Sequence, residues 1–214
     1  MFAAWQVNVS DQVLAARARA GRLHRIHHGV YALVPKELLA PNGRRMAAVL
    51  ACGPDAALSH YSALKLRGLM DSQRAKIDVT VPTSGGRSRE GIHIHRSSTL
   101  RPCDVEPVDR IPCTTLARTI FDMADVLAPR RLERLLDEMA YQEVLDLATL
   151  NEQLQHNPGR RKACRNLRGT LAHHVPGSTR TDGVLGEEML ALIRETDLPA
   201  PRSSTGSTSR TATR

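Results

Sequence analysis

Residues 16–34 read ARARAGRLHRIHHGVYALV, and how this stretch folds decides the architecture of the N-terminal part of the chain. Four arginines (Arg17, Arg19, Arg22, Arg25) and three histidines (His24, His27, His28) crowd around two glycines, with no acid among them. The first glycine ends a helix. Ser10 is a favourable N-cap and Asp11 suits the positive end of a helix dipole. A helix over Asp11–Ala20 is therefore predicted to stop at Gly21, which accepts the conformation of a C′ position. Its apolar side is Val13, Leu14, Ala16 or Ala18, and Ala20, with Arg17 and Arg19 pointing elsewhere. The second glycine makes a turn: His28-Gly29 joins two short β segments, because glycine accepts φ > 0. Val30 and Tyr31 are predicted to pack this hairpin onto the domain. A helix followed by a basic hairpin is what a winged helix-turn-helix requires. One helix enters the major groove, while arginines on the hairpin neutralise phosphates and release counterions. The candidate DNA contacts are Gln12, Arg17 and Arg19 on the helix and Arg22, Arg25, His27 and His28 on the wing and its approach. Surface arginines also serve solubility alone; their density without an acid favours nucleic acid.

Composition agrees with a polyanionic partner. The 214-residue chain carries a formal net charge of +8 and has a pI near 9.9, a statement about partners and not about fold. At 41% hydrophobic residues it can bury a core, in one large domain or two small ones. Aromatics are only 3%, which argues against a base-stacking platform for single strands. No apolar run approaches the roughly 20 residues that span a bilayer. MFAAWQVNVS has neither a basic n-region nor a cleavage site. The four cysteines (Cys52, Cys103, Cys113, Cys164) form no CxxC pair and read as reduced structural thiols. A cytoplasmic protein without cofactor or membrane contact is expected.

Downstream, Pro41 opens a linker and RRMAAVLACG forms a helix stopped by Gly53-Pro54. Ser59 caps HYSALKLRGL, which ends near Gly68. KIDVTVP alternates with period two and ends at a proline, a strand signal. TSGGRSREG is a flexible loop, IHIHRS a short strand, and RPCDVEPVDRIPC an extended, proline-punctuated segment. Thr114 or Thr115 caps LARTIFDMADVL. PRRLERLLDEMAYQEV starts on a well-placed proline, and DLATLNEQLQ and the basic GRRKACRNLRGTLAHH follow as helices. GEEMLALIRETD makes a last helix, and the Ser/Thr/Arg-rich end is predicted to be disordered. The fold class is mixed α/β (α+β): a winged-helix-like N-terminus over 1–40, an α/β domain over 41–175, a remnant over 176–201 and a disordered tail over 202–214.

The run GRLHRIHHGVYALV resembles the wing of the AbiEi-type antitoxins of bacterial abortive-infection systems. ALSHYSALKLRGL, KIDVTVP, GIHIHRS and IPCTTLARTIFDMAD are similar, in the same order, to that family's following helix, two strands and arginine–aspartate helix. The resemblance covers roughly residues 10–175. It implies a winged-helix DNA-binding domain joined to an antitoxin domain, repression of its own operon, and a nucleotidyltransferase-type toxin as partner. The family's winged helix begins with one or two helices before the recognition helix, whereas nine residues precede Ser10 here. A partial winged helix is therefore expected.

Other constellations suggest chemistry less strongly. Arg118 and Asp122 stand i,i+4 on one predicted helix, where such pairs commonly support the helix itself; with His60 and Ser62 they are the nearest approach to a catalytic set, and none is assigned. His93 and His95 share one face of a predicted strand, but no third metal ligand accompanies them in sequence. TRTDGVLGEEMLALIRETDLPAP resembles the first helix of the very-short-patch-repair endonucleases, with Glu187 nearest the family's first acid and Gly186 at the best-aligned position. The metal-binding Asp and Glu-x-Lys that should follow are missing, so an endonuclease, the alternative reading, is expected to be inactive.

Overall fold

The computed structural model describes residues 1–7, 9–82 and 88–173. It is a mixed α/β protein with seven α-helices and two sheets among the described residues. The first sheet is three-stranded and antiparallel. Strand β1 (Phe2–Ala3) is followed by helix α1 (Asp11–Arg19) and by the hairpin β2 (His24–His27) and β3 (Val30–Ala32), in the order β1-β3-β2. Helix α1 ends as its glycine demands. Gly21 has φ 69°, its N–H donates to the Ala18 carbonyl at 3.1 Å, and the Arg22 N–H donates to the Arg17 carbonyl at 3.0 Å. These two bonds make a Schellman motif. At the other end Ser10 occupies the N-cap position with extended backbone, but its side chain makes no capping bond. The buried side of α1 is narrower than the apolar pattern predicts: only Leu14 is buried, against Leu23 and Tyr31, and Val13 is exposed. A single short helix lying on three short strands has little surface to cover. The hairpin turn is His28-Gly29, with Gly29 at φ 74°.

Pro41 opens no linker. It is the first residue of α2 (Pro41–Cys52), where a missing N–H costs nothing and the fixed φ suits a helix. Helix α2 stops at Gly53, whose φ of 115° excludes continuation. Its buried residues Ala47, Ala48, Val49, Leu50 and Ala51 are mostly small, so both sheets approach it closely. One cluster runs from Ala3, Ile26, Val30 and Ala32 through α2 to Val79, Val81, Ile92 and Ile111. The hydrophobic core thus crosses residue 40 without a break, and the basic hairpin is anchored on the same helix as the central sheet.

The second sheet has five strands: β4 (Ala57–Leu58), β5 (Ile77–Val81), β6 (Ile92–Arg96), β7 (Val105–Val108) and β8 (Ile111–Thr114), in the order β6-β5-β4-β8-β7. Pairs β5/β6 and β4/β8 are parallel; the other two are antiparallel. Helix α3 (His60–Leu66) connects β4 to β5. The segment read as merely extended is a hairpin, β7–β8. Its turn uses Asp109 and Arg110 at φ 48° and 65° without any glycine, so the usual hairpin signal is missing. The remaining helices, α4 (Leu116–Met123), α5 (Pro129–Tyr141), α6 (Leu147–His156) and α7 (Arg161–His173), close a second core around Leu64, Phe121, Leu132, Leu136, Leu150 and Leu167. Thr115 caps α4 by accepting from the Arg118 N–H, and Asp146 caps α6. No helix of the described residues is long and apolar enough to cross a membrane. Residues 83–87 of the expected TSGGRSREG loop, the nuclease-like helix with Glu187 and the Ser/Thr/Arg tail lie outside the described residues.

Candidate nucleic-acid face and a histidine–aspartate cluster

The sequence-predicted DNA contacts are placed by α1 and the hairpin. Gln12, Arg17, Arg19, Arg22, Arg25 and His28 are exposed. At 3.6 residues per turn, Gln12 and Arg19 share the outer face of α1, opposite Leu14, while the directions of Arg17 and Arg19 differ by about 160°. The arginines therefore spread around the end of the helix and along the edge strand β2, where Arg25 pairs in register with Tyr31. None of the four forms an ion pair with a described residue. His27 is less accessible than the other six. It is half-buried beside a bulge in β2, and burial, followed by the charges of Lys36 and Arg89, holds its pKa below the usual histidine value. It is a neutral group near physiological pH. Lys36 and Arg89 lie near the hairpin, as does Glu90, whose charge acts on His27 in the opposite sense; Lys36 follows the hairpin closely in sequence, but nothing in the sequence links Arg89 to it.

A second site was only half legible. Strands β5 and β6 are parallel and in register, with Asp78 beside His93 and Thr80 beside His95. In each strand the apolar residues (Ile77, Val79 and Val81; Ile92 and Ile94) alternate with these four, so the four share one face. The Asp78 carboxylate meets both imidazoles: Oδ1 lies 3.1 Å from His93 Nδ1 and 2.9 Å from His95 Nε2. Asp78 is the third group the sequence did not offer, because the register of two strands separated by a loop cannot be read from either strand alone. Its other oxygen, Oδ2, is buried with no hydrogen-bond partner among the described residues. Burial pushes the Asp78 carboxyl up, but the hydrogen bond from His95 and the charges of His95, His60 and His93 outweigh it and leave the pKa below the usual carboxylate value.

Helix α3 covers this face. The Ser59 N–H donates to the Asp78 carbonyl at 3.1 Å, and the Asp78 N–H donates to Ser62 Oγ at 2.9 Å. Ser59 was expected to cap α3. Its hydroxyl instead accepts from Thr80 at 2.8 Å and lies 3.0 Å from His60 Nδ1. The His60 ring stacks on His95 with centroids 3.6 Å apart. His60 has φ 49°, a left-handed conformation that side chains with a Cβ resist. Burial, reinforced by His95, pushes its pKa down to about 3, so it is neutral. Ser59 can then accept from Thr80 while donating to His60 Nδ1, which puts the imidazole proton on Nε2. The cluster opens to a surface pocket lined by Arg74, Ala75, Lys76, Asp78 and His93, with the Arg74 guanidinium 4.0 Å above the Tyr61 ring.

Arg118 and Asp122 do form their i,i+4 pair at 3.1 Å, but inside the protein. Arg118 is completely buried and also reaches Asp104 at 3.3 Å, the Thr99 carbonyl at 2.8 Å and Ser97 Oγ at 2.7 Å. Asp104 is further held by Arg101 and Gln153, and Asp122 by Arg160, which also pairs with Asp125. This network joins the segment before β7 to α4, α6 and the start of α7. On α7, Arg161, Arg165 and Arg168 are exposed while Ala163, Cys164 and Leu167 are buried. Comparison with known proteins finds no family model that matches the chain and no curated protein similar to it.

Proposed function

We propose that this protein is a DNA-binding regulator that contacts duplex DNA through α1 and the β2–β3 hairpin, in the antitoxin role implied by its resemblance to the AbiEi type. The observation that carries the DNA reading is four exposed arginines, Arg17, Arg19, Arg22 and Arg25, on one helix–hairpin unit with no ion-pair partner among the described residues. A basic side chain without an acid nearby keeps its charge available for a phosphate, and each phosphate neutralised releases counterions. Beside His27, Lys36 and Arg89 add positive charge, with Glu90 opposing in smaller measure. The sheet order β1-β3-β2 leaves β2 at the edge, so Arg25 is not hemmed in by a further strand. Gln12 and Arg19, on the outer face of α1, are the side chains we assign to base edges; Arg22, Arg25 and His28 are assigned to the backbone. A nucleotidyltransferase-type toxin as second partner rests on the ordered resemblance alone.

The test is binding of purified protein to duplex DNA from its own promoter region across a salt series. Log K should fall with log[salt] by about 0.9 per phosphate contact, so Arg22→Ala/Arg25→Ala should flatten the slope by about 1.8. Absent binding, or an unchanged slope in the double variant, refutes the assignment. Growth rescue from an adjacent toxin gene by this chain tests the antitoxin role separately.

A further inference from the structure

Asp78, His93 and His95 form a set of donors that fits a metal ion. We propose that these three side chains bind one divalent transition-metal ion of the zinc type, with a fourth coordination position open to a small anion. Two imidazoles and one carboxylate are a donor set for zinc and its first-row neighbours and not for magnesium or calcium, which favour all-oxygen sites. The ligand atoms of the three residues all lie within 4.8 Å of one another. Zinc bonds of about 2.0–2.2 Å at tetrahedral angles hold neighbouring ligand atoms about 3.3 Å apart. The two imidazole–carboxylate contacts, 3.1 and 2.9 Å, need open by only a few tenths of an ångström to match.

Three further observations point the same way. Asp78 Oδ2 is buried and lacks a hydrogen-bond partner among the described residues, so the carboxylate keeps unused acceptor capacity for a cation. The ligands are held before any ion arrives: the Asp78 backbone is fixed from both sides by Ser59 and Ser62, and His95 is clamped under the His60 ring. Such outer support is what orients metal ligands in established sites. The cluster is also reachable, since the His93 side chain is half exposed and with Asp78 lines the pocket bordered by Arg74 and Lys76. A metal with three protein ligands keeps one position for exchangeable water. The two basic residues at the pocket mouth fit that position to a carboxylate or phosphate group. This site lies on the central sheet and does not depend on DNA binding by the hairpin.

The experiment is titration of the full, tag-free, chelator-stripped protein with Zn²⁺ in competition with a chromophoric chelator, paired with the visible spectrum of the Co²⁺ form. Binding of one ion per chain is expected, with an intense tetrahedral Co²⁺ spectrum free of thiolate charge-transfer bands. His93→Ala, a change at a half-exposed position, should weaken binding by about 100-fold or more. Asp78→Asn should do the same, and a zinc-free melting curve shows whether each variant is folded. Cys103→Ser, which removes the exposed thiol, should bind as the parent does. No one-to-one binding, binding that survives His93→Ala, or binding abolished by Cys103→Ser overturns the proposal.

Discussion

Arginine serves two opposite purposes in the two halves of this molecule. On α1 and the β2–β3 hairpin, Arg17, Arg19, Arg22 and Arg25 are exposed and free of ion pairs with described residues. In the helical half, Arg118 is fully buried and satisfied by Asp104, Asp122, Thr99 and Ser97. The first group has no acid partner among the described residues; Arg118 spends its charge inside. The lesson is that a basic residue reads as a binding residue only once its fold partners are known. LARTIFDMAD and RARAGRLHR look comparably suited to a ligand as strings. The difference is an aspartate one turn along the helix and another delivered from the segment before β7.

The contrast is broken most directly at Arg118. Arg118→Ala would leave parts of Asp104 and Asp122 buried without their common partner, and removal of one member of a buried ion pair costs about 3–5 kcal/mol. The remaining contacts from Arg101, Gln153 and Arg160 place the expected loss near the lower end, about 3 kcal/mol. Urea denaturation measures it, and a loss below about 1 kcal/mol, typical of surface pairs, would abolish the contrast.

The same contrast extends to histidine, with His60 buried and His28 on the hairpin tip exposed. The His60 pKa falls from 6.5 unfolded to about 3 folded, chiefly through burial, with His95, Arg160 and His93 adding and Asp78 opposing. Folding therefore favours the neutral ring. Its stability contribution is complete above pH 6.5 and is lost as pH falls from there toward 3. By pH 5 the expected loss is about 2 kcal/mol. His60→Asn, which tolerates the positive φ, should flatten the stability curve between pH 7 and 5 relative to the parent. Parallel curves for the two proteins would show that His60 does not titrate this way.

A smaller effect is expected at the hairpin itself. A Cβ placed on Gly29 meets no atom within 4 Å, so Gly29→Val is penalised only through its φ of 74°. A left-handed residue costs about 1–2 kcal/mol. Thermal melting should fall accordingly, and DNA affinity with it, whereas unchanged values for both would remove the turn from the account. The smallest change in stability belongs to the arginines assigned to DNA. Arg22→Ala/Arg25→Ala should shift unfolding by no more than about 0.5 kcal/mol, as surface substitutions do, despite its effect on binding. A larger shift would mean that these side chains have partners in the fold after all.

Much of the fold could be read from local signals. Gly21, Gly29 and Gly53 end elements where their neighbours predict it, and alternation in IDVTV and IHIHR marks two strands. What escaped was the non-local part. The turn at Asp109 and Arg110 carries no glycine, so β7–β8 gave no hairpin signal. Pro41 reads as the opening of a linker but starts a helix, because the mostly small residues at 47–51 pack between two sheets. HRIH on β2 and HIHR on β6 are nearly the same string and both lie on edge strands, yet only the second runs beside a buried aspartate. Only strand pairing distinguishes them. His93 and His95 were recognisable as a pair; Asp78 became their neighbour through the parallel register of β5 and β6.

The shortness of β4 has a mechanical consequence. It is the middle strand of the five, yet it has two residues and meets β8 through the single register pair Leu58–Cys113. The central sheet is therefore two stiffer ribbons, β5–β6 and β7–β8, joined by a narrow hinge of main chain. What ties them across the seam is largely side-chain work: Thr114 Oγ1 donates to the Leu58 carbonyl, and Arg67 from the end of α3 donates to the carbonyl of Thr114 and to Glu106. Such a sheet is expected to open along its midline before either ribbon melts. The amide protons of β4 and its contacts on β8 would exchange with solvent through that opening, ahead of those in the five-residue ladder that carries Asp78, His93 and His95.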